Sequence, residues 1–248
     1  MKSFTIMSRT NFLSMRKSLI ISRFNENISW LEEIKGFKII IYNKGEKLSN
    51  KKFNKIINLN NVGRESHTWL YHIVENYTDL DDVNIFMQGR IDDLGCMAYS
   101  DPHDYLKVIN KTGFSASRYG LLGPLHWGWN VGLEKNKKYK QQWNSGKISR
   151  SKIGFRNFAK ELFPKIPIFV PTSYGGCFAI KKELIRKYDK DFYLNLLEIL
   201  SKSKNPVEGH YMERLWCYMF TKRKFLKKAI LDVINTKIER SKILKIYK

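Results

Sequence analysis

The sequence predicts a single three-layer αβα domain of the Rossmann-like class, built on a mostly parallel sheet. Three observations carry that expectation. Short apolar runs at residues 19–22, 37–42 and 83–87 read as strands covered on both faces. Helical spacing of apolar residues fills the intervals, the alternation a parallel sheet requires. Each run also stops abruptly in polar residues, at Arg23, Asn43 and Gln88, and open α/β sheets place their sites at such carboxyl ends.

Taken in order, residues 1–17 read as a loose leader, polar and basic, and residues 18–220 as the domain. The first strand, 19–22, is followed by the turn Arg23-Phe24-Asn25-Glu26-Asn27 and a short helix carrying Trp30, Leu31 and Ile34. The second strand, 37–42, ends in Asn43-Lys44-Gly45, and a weaker third strand spans 55–59. A helix over 61–77 then buries Trp69, Leu70, Ile73, Val74 and Tyr77 on one face. Gly63, Arg64, Glu65, His67 and Thr68 crowd its first turn, where backbone N–H groups lack helical partners. Free N–H groups beside an arginine and a histidine suit an anion or a polar ligand.

Beyond the strand at 83–87 come Gln88, Gly89 and Arg90, with Asp92 and Asp93 close behind. Residues 104–108 read as helical, 119–130 as a glycine- and tryptophan-rich loop, and 135–140 as a charged surface run. A long aromatic loop in a compact domain is more often a binding element than an idle connection. The last core unit starts at Phe169-Val170 and runs through Gly175 and Gly176 into a helix at 182–188. Helices at 192–200 and 208–220 follow, the latter burying Met212, Leu215, Trp216 and Met219. The tail, 221–248, holds ten basic and two acidic residues and allows a basic amphipathic helix.

Composition bounds the function. The 248 residues suffice for a substantial core, and 43% hydrophobic with 14% aromatic content excludes a disordered chain. Residues 1–17 lack an export signal, and no stretch reaches the ~18 to 20 apolar residues of a membrane span. The expected location is therefore cytoplasmic, with the basic tail suited to peripheral contact with an anionic membrane. Cys96, Cys177 and Cys217 lie far apart, without the spacing of a zinc or redox site. The formal charge of +22 attracts anions in general. It argues weakly for nucleic acid, because lysine outnumbers arginine 33 to 12 and base readout favours arginine forks.

Six blocks occur in order: S-L-I-I-S-R-F-N-E-N-I-S-W-L, I-Y-N-K-G, N-V-G-R-E-S-H-T-W-L-Y-H-I-V-E-N-Y, V-N-I-F-M-Q-G, G-G-C-F-A-I-K-K-E-L-I and Y-M-E-R-L-W. Together they resemble the domain of unknown function 3431 family over residues 18–220. That family brings no activity with it. A looser similarity, by analogy, is to glycosyltransferases of the A-type (GT-A) fold. In those enzymes a first strand ends in an R-x-N-E turn at the nucleotide, a later one in a metal-holding D-x-D. A small-residue strand faces the acceptor, and a helix supplies a catalytic carboxylate.

The resemblance assigns Arg23, Asn25 and Glu26 to the first element, Gly175 and Gly176 to the third, and Glu213 to the fourth, as catalytic base. The second departs, since Gln88-Gly89-Arg90 stands where the acidic motif belongs. Asp92 and Asp93 come later and could hold Mg²⁺ or Mn²⁺ on the diphosphate; alternatively Arg64 and Arg90 neutralise it without a metal. An exposed acidic turn is as good a reading of the two aspartates. His103 and His126 could be ligands, although lone loop histidines are usually surface residues. Asn43, Lys44, His67 and Gln88 complete the expected nucleotide site. Glu213 could instead be a salt-bridge partner of Arg64 or Arg214. The Trp127 and Trp129 loop could stack on a sugar or base, or simply cover the sheet end. The leading expectation is a glycosyltransferase with a nucleotide-sugar donor and a glycan or other hydroxyl acceptor. The alternatives are a non-catalytic nucleic-acid or anion-binding protein, and a degenerate transferase fold kept as a binding module.

Overall fold

The computed structural model describes residues 15–48, 53, 55–91, 101–128, 137–222, 227, 230 and 231. Strands β1 (Lys17–Arg23), β2 (Lys38–Asn43), β3 (Lys55–Asn58) and β4 (Val83–Gln88) pair in parallel in the order β3-β2-β1-β4. β8 (Phe178–Lys181) joins β4 antiparallel, and β5 (Phe114–Ser115) joins the far side of β8. The sheet is therefore mixed and mostly parallel. Its three central strands are the three apolar runs of the sequence, paired as neighbours.

Alternation along those strands feeds two cores. Ile20, Ile40 and Phe86 point to one side, where Trp69, Leu70 and Ile73 of α1 (Arg64–Glu75) cover them. Leu196 and Leu200 of α6 (Lys190–Ser201) and Leu215 and Trp216 of α7 (Val207–Thr221) complete that layer. Leu19, Ile21, Ile39, Ile41, Ile85 and Met87 point the other way, onto Tyr105 and Ile109 of α2 (Pro102–Thr112) and Leu31 of a 3-10 turn (Ser29–Glu33). Each fully buried side chain of this kind contributes about 1.5 to 3 kcal/mol. The result is an α/β fold of general Rossmann-like form with helices on both faces. Asp101 caps α2 by accepting from the His103 N–H at 2.8 Å, and Gly113 ends it at φ 74°.

Three expectations shift. Residues 119–122, read as part of a loop, form β6 (Tyr119–Leu122), which pairs with β7 (Val170–Ser173) in a two-stranded antiparallel ribbon. Gly120 is there for packing: a β-carbon on it would meet the Tyr174 ring at 2.3 Å. The charged run continues into α3 (Lys137–Asn144), anchored by Tyr139 and Trp143, which pack on the core four residues apart. The fold also starts before the expected leader ends, since Lys17 is in β1 and Arg16 pairs with Asp79 at 3.1 Å and with Asp81 at 3.3 Å. Helices α4 (Phe155–Leu162) and α5 (Lys182–Ile185) fill the remaining described chain. Residues 1–14 and most of the basic tail lie outside the described residues. Of the tail, Thr221 ends α7, and Lys227, Ile230 and Leu231 are helical. Among the described residues, no helix is long and apolar enough to cross a membrane.

Candidate functional site

β1 and β4 lie side by side, but the chain leaves them toward opposite sides of the sheet. β1 leads out to β2 and β3, whereas β4 leads toward β5 and β8. The crevice at the carboxyl ends of such a pair is where open α/β sheets bind ligands. Ser22 is opposite Gln88 and Arg23 opposite Asn43, so the expected strand ends share one rim. A cleft of about 160 Å³ opens there, lined by Ser22, Arg23, Glu26, Lys44, Arg64, Glu65 and Gln88 among others. A wider cavity of about 610 Å³ adjoins it through Phe24 and Glu26 and takes in Asn25, Trp30 and Arg90.

The rim is stiffened from within. The Arg23 guanidinium donates to the Asn43 side-chain oxygen at 2.6 Å, to the Glu46 carbonyl at 3.1 Å and to the Glu26 carbonyl at 3.0 Å. Asn43 donates onward to the Asn58 side chain at 3.1 Å, so one chain of polar contacts crosses the ends of three strands. Asn25 accepts from the Glu46 N–H at 2.8 Å, and Glu26 accepts from the Phe24 N–H at 2.6 Å. These four residues, expected to meet a nucleotide, also hold the rim loops in place.

The entry to α1 supplies the charged centre. Gly63 and Arg64 both adopt positive φ, 62° and 56°, which aims the loop into the first turn. Lys44 donates to the carbonyls of Val62, at 2.6 Å, and of Arg64, at 2.5 Å, from a position only 8% exposed. Burial lowers its pKa to about 7, with Glu65 opposing. The Arg64 guanidinium lies 3.5 Å from the Glu65 carboxylate and 3.3 Å from His210 Nε2, and bonds to Tyr139. Burial disfavours its charge, but Glu65, Glu213 and Tyr139 outweigh that and hold the cation above its ordinary pKa. His67, lowered to about 4 by burial and by Lys44, is neutral at pH 7.

The β7–β8 turn closes the far side. Gly175 and Gly176 both have positive φ, 82° and 66°. Their carbonyls are held by Gln88 Nε2 at 2.8 Å and Trp69 Nε1 at 3.0 Å. A β-carbon on Gly176 would stand 3.3 Å from a Glu65 oxygen, so the turn presses against that carboxylate, whose Oε1 is buried without a partner. Glu213 is ion-paired with Arg214 at 3.1 Å. Glu65 and Glu213 act electrostatically on both Arg64 and Cys177. Burial pushes the Cys177 thiol up to about 12, and the two carboxylates push the same way, so it is no nucleophile at neutral pH.

Of the expected residues, Arg23, Glu26, Lys44, Arg64 and Gln88 line the cleft, and Asn25 and Arg90 line the wider cavity. Gly175 adjoins the cleft through Gln88, Gly176 through Glu65, and His67 through the charge of Lys44. Glu213 lines neither cavity and reaches the site through its electrostatic action on Arg64. Asp92, Asp93 and Trp129 lie outside the described residues. Among those described, no group of three His, Cys, Asp or Glu could hold a metal. His103 sits on Asp101 in the α2 cap, at 2.7 Å, and the His126 ring accepts from the Gly123 N–H at 3.2 Å. Trp127 packs on Phe155, donates to the Ile168 carbonyl, and lines neither of the two rim cavities. Sequence reasoning did not assign Glu65 or His210 to the site. Glu65 carried a signal, an acid in the first turn of a helix already crowded with polar groups; His210, brought in from α7, carried none.

A family model described as protein of unknown function (DUF3431) matches residues 19–230. Among curated proteins, none matches the chain.

Proposed function

The chain belongs to the DUF3431 family, and from the β1–β4 crevice we propose that it transfers a sugar from a nucleotide-sugar donor to a hydroxyl acceptor, on a GT-A-like framework. The observation that carries this reading is Arg64, a cation fixed at the switch point of the sheet with Glu65 and Glu213 both acting on it. Sugar transfer needs two things at one place: a positive group for the leaving diphosphate and a carboxylate for the acceptor proton.

In the proposed reaction the acceptor hydroxyl gives its proton to the Glu213 carboxylate as its oxygen bonds to the sugar carbon. The bond from that carbon to the diphosphate oxygen breaks, and its electron pair leaves with the nucleoside diphosphate. Arg64 takes up part of the charge that develops on the leaving group, with Arg90 beside the wider cavity. A divalent cation, Mg²⁺ or Mn²⁺, would be held by Asp92 and Asp93 and would supply the remaining positive charge for the diphosphate. Gln88, 2.8 Å from the Gly175 carbonyl, sets the turn that faces donor and acceptor. Neutral His67 and the protonated Cys177 thiol fit positioning rather than covalent chemistry.

Two contacts favour a second reading, a transferase framework kept as a binding module. Glu213 is tied to Arg214 at 3.1 Å, and Arg23 and Asn43 bond to each other. A thermal-shift panel of nucleoside diphosphates and nucleotide sugars, with and without Mn²⁺, tests both. A ligand at about a hundredfold its Kd stabilises by about 2.7 kcal/mol, a shift of roughly 5 to 10 °C. Selective stabilisation by one nucleotide class supports the site, and release of its sugar onto an acceptor separates enzyme from module. No response to any nucleotide overturns both.

A further inference from the structure

The ribbon of β6 and β7 ends in an apolar knob that the crevice does not use. Leu122 is opposite Val170 in the last rung, so the segments that flank it, 123–128 and 165–169, leave the ribbon at the same end. Leu125 is 78% exposed there, Ile168 55% and Phe169 50%. The two segments are tied together: the Phe169 ring lies against Gly123, two residues before Leu125, where a β-carbon would meet it at 2.7 Å. Trp127 Nε1 donates to the Ile168 carbonyl at 2.8 Å. Arg156 sits 4.4 Å over the Trp127 ring and donates to the Pro167 carbonyl at 3.0 Å. The knob is thus built and braced rather than loose, yet it presents three large apolar side chains to water. Contiguous exposed apolar surface of this kind marks a contact site.

The charge around it says what the contact is. Residues 152–169, which carry one side of the knob and its brace, hold Lys152, Arg156, Lys160 and Lys165 against the single acid Glu161. Residues 122–128 hold no Asp, Glu, Lys or Arg at all. Exposed Leu, Ile and Phe beside a tryptophan and within a basic surround match the two halves of an anionic bilayer surface. Apolar side chains enter the acyl boundary, and lysines meet the lipid phosphates and carboxylates. A protein partner with an apolar face would not need the basic surround. We infer that the Leu125–Ile168–Phe169 knob docks the protein on anionic lipid membranes, independently of what the crevice binds.

Vesicle co-sedimentation of the full chain tests this, with phosphatidylcholine vesicles with and without phosphatidylserine. The wild-type protein binds the anionic vesicles and binds the neutral ones far more weakly. Leu125→Asp, at a position exposed enough to leave the fold intact, lowers the partition coefficient roughly tenfold or more. Leu125→Trp keeps binding at least as tight as wild type, which a merely structural role for Leu125 would not produce. Three results overturn the proposal. The wild-type chain fails to bind anionic vesicles. Leu125→Asp binds them as well as wild type, which leaves adhesion to the basic surface at large. Or light scattering finds a dimer that Leu125→Asp dissolves, which makes the knob a contact between copies.

Discussion

The buried ammonium of Lys44 donates to the backbone carbonyl of Arg64 at 2.5 Å, at the turn that starts α1 and faces the crevice. Its pKa, lowered to about 7 by burial with Glu65 opposing, lies well below the 10.5 of an exposed lysine. Between those values the unfolded chain holds a proton that the folded one has lost. The cost of burying the charge is full below about pH 7 and is relieved as the pH rises toward 10.5. Stability should therefore climb with pH through this window, by up to about 1.4 kcal/mol per pH unit from this group. Lys44→Met removes the titration. Urea unfolding of both proteins between about pH 7 and pH 9 should show wild type gaining on the variant; parallel curves would remove Lys44 as the source.

Gly45 and Phe24 set the next expectation. A β-carbon at Gly45 would stand 1.6 Å from the Phe24 carbonyl oxygen and 2.1 Å from the Asn25 side-chain oxygen. Gly45→Ala must push the β1 and β2 rim loops apart, at a cost of about 1 to 3 kcal/mol or more. Gly146→Ala is the control: it meets open space and carries only the backbone strain of φ 70°, about 1 to 2 kcal/mol. Both should lower Tm, but only Gly45→Ala should also weaken nucleotide binding by calorimetry. Equal effects of the two on binding would detach the rim loops from the site.

Why some of this was legible and some not follows from where the information lies. The runs around Ile20, Ile40 and Phe86 announce buried strands because successive residues face opposite cores and both sides must be apolar. The polar stops at Arg23, Asn43 and Gln88 mark the rim because both cores end there. Their partners were not legible: Arg23 and Asn43 are 20 residues apart and meet only because β1 and β2 pair in register. Trp69 looked like plain core, yet its ring nitrogen holds the Gly176 carbonyl from 107 residues away. Gly120 looked like a loop glycine because the Tyr174 ring it admits comes from another strand end. Long-range contacts of this kind leave no periodicity to read.

The carboxylates divide the chemistry. Glu213→Gln keeps shape and removes the proposed base, so transfer should fall by about 10² to 10⁴ while donor binding changes little. Glu65→Gln removes the acid 3.5 Å from Arg64 and should act mainly on donor affinity. Cys177→Ala should leave the transfer rate near wild type, because the thiol stays protonated at neutral pH. Steady-state kinetics with separate kcat and KM decide the matter. Should Glu65→Gln take the larger loss in kcat, the base is Glu65 and Glu213 is its electrostatic neighbour.

In the proposed transfer something must neutralise the leaving diphosphate, and two substitutions separate the candidates. If Asp92 and Asp93 hold a divalent cation, Asp92→Asn leaves a hard ion short of an oxygen ligand, and diphosphate affinity should fall with it. Chelator should then reproduce the loss, and Arg90→Ala should matter less. If Arg64 and Arg90 carry the role, chelator should change nothing. Arg90→Ala should then cost one charge-assisted bond, about 1.5 to 3 kcal/mol, or roughly tenfold to a hundredfold in Kd. Arg64 is already charged with Glu65 at 3.5 Å and Glu213 acting on it electrostatically, and each carboxylate takes up part of its positive field. A diphosphate brings more negative charge than the remainder of that field balances, and for that reason we expect the metal to be needed. Affinity that ignores both EDTA and Asp92→Asn would transfer the role to the arginines. Indifference to Arg90→Ala as well would speak against nucleotide-sugar chemistry in this crevice.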